Sequence, residues 1–142
     1  MPELTDLRRR VRQAIQDAKQ KAAARRTSRD EAAAAWTASI ATIVEPVATG
    51  VAAALTGEGL PFRLETPRGT VRIVSERSPG DYIEIALDDS EERDAPEVIG
   101  RAVRGRGRQS VTVMEDLLGP PARLSEDRLV AFLMQAIGLA IK

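Results

Sequence analysis

Four arginines around two glycines are the residues whose types and spacing are best suited to binding chemistry. They lie beside Gly105 and Gly107 and are Arg101, Arg104, Arg106 and Arg108. A guanidinium group binds phosphate through two parallel hydrogen bonds, and glycine lets a backbone approach a polyanion closely. The cluster therefore predicts a hairpin tip that could bind nucleic acid or polyphosphate.

The alternative interpretation of this cluster is a solvated hairpin, and the composition favours it. Only three of the 21 basic residues are lysine, so a group of arginines is less surprising here than in most chains. The formal net charge is +0, whereas proteins that bind duplexes usually carry positive charge. Proteins that bind single strands need aromatic stacking platforms, and only 3% of this chain is aromatic.

A second basic group is predicted on one flank of the first helix. On a helical wheel Arg8, Arg12, Lys19 and Arg26 fall within about 40° of one another, beside an apolar stripe. These side chains could form a basic track for an acidic partner. They are also typical of the edge positions of a helix pair, where their long stems cover apolar surface. We favour the second interpretation, which makes these four residues the candidates for contact with a partner helix.

The residues that the chain lacks exclude several kinds of chemistry. There is no cysteine and no histidine, which excludes disulfides, thiolate and haem chemistry, zinc sites built on these residues, and histidine catalysis. Neither pair of closely spaced glycines has the third glycine of a dinucleotide fingerprint. The acidic run at residues 88–94 lacks the spacing of a calcium loop, so we predict a flexible, solvated connection without metal. No cofactor is predicted.

Three glutamates offer the remaining route to catalysis, and we interpret them structurally. Glu65, Glu76 and Glu84 share the outer face of the predicted sheet, where two carboxylates could act as acid and base. They lie beside Arg63 and Arg72, which favours cross-strand ion pairs. We therefore predict no catalytic residues and no enzyme activity.

Length and composition predict a single domain, residues 1–142. The chain is 43% hydrophobic and 30% charged, which is ordinary globular usage. Its charge is segregated: residues 1–29 carry nine basic and three acidic side chains, whereas residues 80–100 carry eight acidic and one basic. We expect these to be separate solvated faces that partly neutralise each other within the fold or across a dimer.

Residues 1–57 are predicted to form an αα-hairpin. Apolar residues recur at helical spacing in the first helix, at Leu4, Leu7, Val11, Ile15, Ala18 and Ala22. Ser28 followed by Glu31 resembles a capping box, which predicts that a second helix covers residues 29–56. Pro46 should kink that helix or restart it in a first turn.

The stretch from Ala32 to Leu55 could be mistaken for a membrane span. Glu45 and Pro46 lie near its middle, and its large apolar residues fall on one side of a helical wheel. This favours a soluble amphipathic helix, and no membrane contact is predicted. The first residues have no continuous apolar run of the secretory type, so cytoplasm is the expected location.

The rest of the chain is predicted to form a sheet and one more helix. From residue 60 to 116 the apolar period changes to two, which predicts a meander of five antiparallel strands. A C-terminal helix, 125–142, follows Ser125 and packs on this sheet. Met134 and Leu139 widen its apolar arc, so it needs a second neighbour: the N-terminal hairpin or a second subunit.

These patterns together predict an α+β fold with no reaction chemistry. We expect a non-catalytic intracellular module for protein–protein interaction or assembly. It is expected to form a homodimer and to bind a further, unidentified protein. The reasons are a first helix longer than a small domain is wide and a last helix with more apolar surface than a sheet covers. The alternative is nucleic-acid or polyphosphate binding through the arginine hairpin.

Overall fold

The computed structural model describes residues 3–90, 93 and 95–140 of the chain. It opens with one uninterrupted helix, in which α1 covers Leu4–Ser39, a π-helical turn covers Ile40–Val44, and α2 covers Glu45–Gly57. After the sheet come a short 3-10 turn and helix α3, Glu126–Ala140. The α+β class is therefore confirmed; the outermost residues of the two predicted terminal helices lie outside the described ranges.

The predicted αα-hairpin is wrong, because the first helix does not stop near residues 26–28. Ser28 and Glu31 lie inside α1, and the Thr27 hydroxyl donates to the Ala23 carbonyl at 3.1 Å, as in a helix interior. Residues 3–45 contain no glycine or proline, and alanine, the strongest helix former, is abundant on both sides of the supposed turn. Helix propensity therefore outweighs the resemblance of Ser28 and Glu31 to a cap.

The continuous helix accommodates Pro46 through its π-helical turn. Proline has no N–H for the Thr42 carbonyl, and in an α-helix its ring crowds that group. Here the Glu45 N–H donates to the Ile40 carbonyl, five residues back. Pro46 then falls in the first turn of α2, where a missing N–H costs least. Pro46 lies in a first turn, as the predicted restart requires, but the helix does not break there.

The sheet is the predicted antiparallel meander, with strands in the order β1-β2-β3-β4-β5. The strands are Phe62–Glu65, Val71–Ser75, Tyr82–Asp88, Glu97–Arg106 and Gln109–Gly119. The last strand passes the predicted end of the sheet at residue 116. Two register irregularities interrupt the pairing of β4 with β5, at Val98/Ile99 and Ala102/Val103.

Helices α2 and α3 cover the inner face of the sheet and form the core with it. The largest fully buried side chains come from the π-helical turn, the sheet and α3, and are Phe132, Ile73, Ile83, Ile85, Leu129, Leu133, Val44, Val71 and Val98. Helix α3 packs on the sheet as predicted. Its second neighbour is the N-terminal helix of the same chain, because Val44 of the π turn joins the same core.

Two side chains fix the end of α1 to the rest of the fold. The Trp36 Nε1–H donates to the Gly69 carbonyl in the β1–β2 turn at 2.7 Å. The buried Ser39 hydroxyl donates to the Pro121 carbonyl at 2.9 Å. These bonds hold the last turns of α1 in place and so determine the direction in which the rest of this helix leaves the core.

Candidate functional site

The first half of α1 extends beyond the core as a helix exposed on all sides. Every residue from Leu7 to Thr27 is exposed, and the first buried residue of the helix is Trp36. We call residues 4–21 the arm. At 1.5 Å per residue the arm is about 27 Å long. A helix of this length is only marginally stable alone, so the packed turns that follow it must support it.

Four large apolar side chains form an exposed stripe along the arm. They are Leu4, Leu7, Val11 and Ile15, with exposed fractions of 67%, 42%, 56% and 52%. Three of the predicted partner-helix residues, Arg8, Arg12 and Lys19, line this stripe together with Gln16. The structure therefore brings these three to one surface.

The acidic residues of the arm are engaged elsewhere on the helix. Asp6 pairs with Arg9 one turn later, and the Asp17 carboxylate accepts a hydrogen bond from the Gln13 amide at 2.9 Å. Within the described ranges, none of the three basic residues beside the stripe forms an ion pair. The stripe is thus an apolar surface with a positive border.

Arg26, the fourth partner-helix candidate, lies apart from the other three, beside the β3–β4 loop. The cleft between α1 and this loop has a volume of about 370 Å³ and is lined by Ala22, Arg25, Arg26, Arg29, Ser90, Arg93 and Pro96. Within the loop, Arg93 Nε donates to the Asp88 carboxylate at 2.6 Å. This hydrogen bond holds the pKa of Asp88 below its usual value of 3.8. The described part of the acidic loop therefore lies beside one of the two basic surfaces.

The loop offers no metal site in its described part. Asp88 is engaged by Arg93, and no group of three acidic side chains suited to a metal ion occurs in the described ranges. Glu91, Glu92 and Asp94, which belong to the predicted acidic connection, lie outside those ranges.

An apolar groove of about 510 Å³ runs between the first helix and α3. It is lined by Thr42, Ile43, Pro46, Val47, Gly50, Val51, Ala54, Leu55, Glu58, Glu126, Val130, Met134 and Ile137. We call it the α2–α3 groove. Val47, Val51 and Ile137 are half-buried, and Met134 keeps 51% of its surface exposed. Glu58 and Glu126 are its charged lining residues, so the groove is apolar with a negative border.

The sequence indicated only half of this groove. The wide apolar arc of α3, with Met134 and Leu139, predicted surface that the sheet does not cover. The contribution of α2 was missed, although Val47 and Val51 lie on the apolar side of the wheel. No separate signal marks these two valines as groove residues, because the same apolar arc is expected of a helix that packs on the core.

The four arginines of the predicted polyanion site have different neighbours in the structure. Arg101 Nε donates to the Glu115 carboxylate at 3.1 Å, and Arg104 donates to the Leu139 carbonyl near the end of α3 at 2.7 Å. Arg106 ends β4 and Arg108 lies in the two-residue turn that follows, and both are exposed. Two candidates thus have protein partners, and two are exposed at the tip.

The glutamates of the outer face belong to a row of alternating charge across all five strands. In register from β1 to β5, the row is Glu65, Arg72, Glu84, Arg101 and Glu115. Glu84 lies 2.9 Å from Arg72 and 3.7 Å from Arg101, with 12% of its side chain exposed. The predicted cross-strand ion pair is confirmed for Glu84, whereas Glu65 pairs with Arg63 on its own strand and Glu76 lies just beyond β2.

One stretch of the helix Leu4–Gly57 is long and apolar enough to cross a membrane by length and composition. In the structure 28% of that stretch is buried. The same helix supplies Trp36, Ala52 and Leu55 to the core, while Val47 and Val51 line the α2–α3 groove. Part of its apolar surface therefore packs within the fold, and part is open in the groove.

No known protein family, curated protein or solved structure matches this chain. The functional conclusion therefore depends on the arm, the α2–α3 groove and the arginine hairpin themselves.

Proposed function

We propose that this chain is a non-catalytic intracellular assembly module that forms a homodimer by burying the stripe of its arm. One observation carries the proposal: Leu4, Leu7, Val11 and Ile15 are all about half exposed on a helix that extends away from the core. Single exposed apolar residues are ordinary on protein surfaces, whereas a contiguous row with a polar border is typical of a binding surface.

The size of the stripe favours a contact that both copies make. Full burial of a large aliphatic side chain is worth about 1.5–3 kcal/mol, and half of that surface is already covered, which leaves roughly 1 kcal/mol for each residue. One arm then contributes about 4 kcal/mol and two arms about 8, against an association cost of about 4–15 kcal/mol. Only the two-armed contact exceeds the lower limit of this cost, so we expect a weak, reversible, symmetric dimer.

Sedimentation velocity over a concentration series tests this proposal. The unaltered chain is expected to change from monomer to dimer as its concentration rises. Leu7→Glu combined with Val11→Glu should raise the dissociation constant at least about tenfold, because it places two carboxylates in the buried stripe. The far-ultraviolet circular dichroism of this variant should match that of the parent, since both positions are exposed.

A matched control separates loss of the stripe from loss of charge. Gln20→Glu with Ala24→Glu adds the same two carboxylates at the same spacing, on the opposite side of α1, and should leave dimerisation unchanged. A chain that sediments as a monomer at every concentration would contradict the proposal. So would equal weakening by the two double variants.

The alternative function, polyanion binding, is supported by the exposure of Arg106 and Arg108 at the hairpin tip. It is weakened by the partners of Arg101 and Arg104 and by the acidic loop beside Arg26. The same experiment with a mixed-sequence nucleic acid present distinguishes the two functions. Co-sedimentation that weakens steeply with salt, and that Arg106→Ala with Arg108→Ala removes, would favour the alternative.

A further inference from the structure

We infer that the α2–α3 groove of one copy receives the arm of a second copy, and that the exchange is reciprocal. The inference rests on the proposed homodimer and adds the surface on which each arm docks. It makes the groove a binding site for a basic amphipathic helix. Four properties of the described residues support it: apolar chemistry, length, charge and the rigidity of the first helix.

The two surfaces match in chemistry and in length. The stripe consists of aliphatic side chains, and the groove is lined mainly by aliphatic side chains and proline. From Leu4 to Ile15 the stripe is about 17 Å long, and from Ile43 to Leu55 the groove is about 18 Å long, at 1.5 Å per residue. An amphipathic helix laid into an apolar groove is a recurrent mode of recognition.

Charge distinguishes the groove from the other possible partner of the arm, which is a second arm. Arg8, Arg12 and Lys19 border the stripe, so two paired arms would place basic residues against basic residues. Glu58 follows α2 and Glu126 begins α3, and both line the groove. Docking there places the basic border of the arm beside a negative border, so the groove is the better partner.

The continuity of the first helix means that the arm belongs in the groove of another copy. The arm and the α2 wall of the groove are parts of one helix from Leu4 to Gly57. For the arm to reach its own groove, this helix would have to break and fold back. Trp36 and Ser39 fix the helix between the two parts, which opposes such a rearrangement.

Reciprocal exchange also limits the size of the assembly. If each arm occupied the groove of a different neighbour, the contacts would form an open chain of molecules. If two copies exchange arms, both stripes and both grooves are covered and the assembly closes as a two-fold dimer.

Charge reversal tests where the arm docks. Arg8→Glu with Arg12→Glu should raise the dimer dissociation constant at least about tenfold, and Glu58→Arg with Glu126→Arg should do the same. All four substitutions in one chain should return the constant to within about threefold of the parent, because the two borders are again opposite in sign. Thermal melts monitored by circular dichroism check that each variant is folded, and Arg9→Glu with Gln20→Glu on the far side of the helix is the control.

A pair of arms in contact would respond differently. Both copies carry the same reversal, so like charges would still face each other, and neither the Arg8→Glu, Arg12→Glu variant nor the groove variant would differ much from the parent. That result would overturn the docking site and leave the homodimer intact. A parent chain that is a monomer at every concentration would overturn both the docking site and the homodimer. If that monomer also bound vesicles containing phosphatidylserine through its arm, the partner of the arm would be a membrane.

Chemical crosslinking gives a second measurement that does not depend on charge. Because the chain has no native cysteine, Gln16→Cys on the arm and Thr42→Cys at the facing end of the groove can be introduced in separate preparations. After mixing, a short bismaleimide should join one variant to the other. Crosslinks confined to pairs of Gln16→Cys chains would instead indicate paired arms and contradict the inference.

Discussion

Replacement of Phe132 by alanine is expected to lower the free energy of unfolding by about 3–5 kcal/mol, the range for a fully buried phenylalanine. Phe132 is the largest fully buried side chain and lies where α3 meets the sheet. Its ring contacts the backbone of Gly100 on β4, so it occupies space that any other residue at position 100 would fill. Urea unfolding followed by circular dichroism measures the effect.

The contact between Phe132 and Gly100 predicts a coupling between the two positions. A methyl group at Gly100 would lie closer to the Phe132 ring than carbon atoms can approach. Gly100→Ala should therefore cost about 1–3 kcal/mol in the parent and much less in a Phe132→Leu background, where the ring is absent. The control is Gly138→Ala on α3, where an added Cβ meets nothing within 4 Å; it should be neutral or stabilising. Additive effects of Gly100→Ala and Phe132→Leu would contradict the coupling.

Removal of the Glu84 carboxylate is expected to have the second largest effect, about 2–3 kcal/mol for Glu84→Ala. Glu84 lies between Arg72 and Arg101 in the charged row, and both arginine side chains are only about one-third exposed. Without the carboxylate, Arg72 loses its ion-pair partner and Arg101 keeps only Glu115, so two partly desolvated positive charges face each other across β3. Glu84→Gln should cost less, because the amide oxygen can still accept a hydrogen bond.

The matched control for Glu84 is the glutamate at the edge of the same row. Glu115 pairs with Arg101 but has 52% of its side chain exposed, so Glu115→Ala should cost less than about 1 kcal/mol. Both variants are compared by urea unfolding at the same salt concentration. Equal costs for the two substitutions would show that burial of Glu84 between two arginines adds nothing beyond a surface ion pair.

The sheet could be predicted from the sequence because its signal is local. Ile73, Ile83 and Ile85 alternate with Arg72 and Glu84, and the alternation alone assigns one set to the core and the other to the outer face. The cross-strand ion pairs follow from the same pattern once neighbouring strands are antiparallel.

The helices were harder to predict because two local signals disagreed. Ser28 and Glu31 match a helix start, whereas the absence of glycine and proline and the abundance of alanine favour continuation. The helix continues through Ser28, and so no second helix of a hairpin packs against the first. The exposed arm is a direct result of the turn that did not form.

The groove and the partner of Arg104 could not be predicted for a different reason. The groove depends on how α2 and α3 are placed relative to each other in space. These helices are far apart in the chain, and no local sequence pattern encodes the distance between them. Arg104 binds the Leu139 carbonyl, a backbone group that every residue possesses, so no side chain marks it in the sequence. Contacts of this kind become visible only with the fold.

The π-helical turn also sets the rotational phase of the α2–α3 groove relative to the arm. Successive residues of an α-helix differ by about 100° in direction, so one residue more or fewer between Ser39 and Val47 would rotate the α2 wall of the groove relative to the arm by about that angle, while Trp36 and Ser39 would still hold the arm on the core. The angle between the stripe and the groove, which lie on one helix, is thus encoded in the turn that accommodates Pro46.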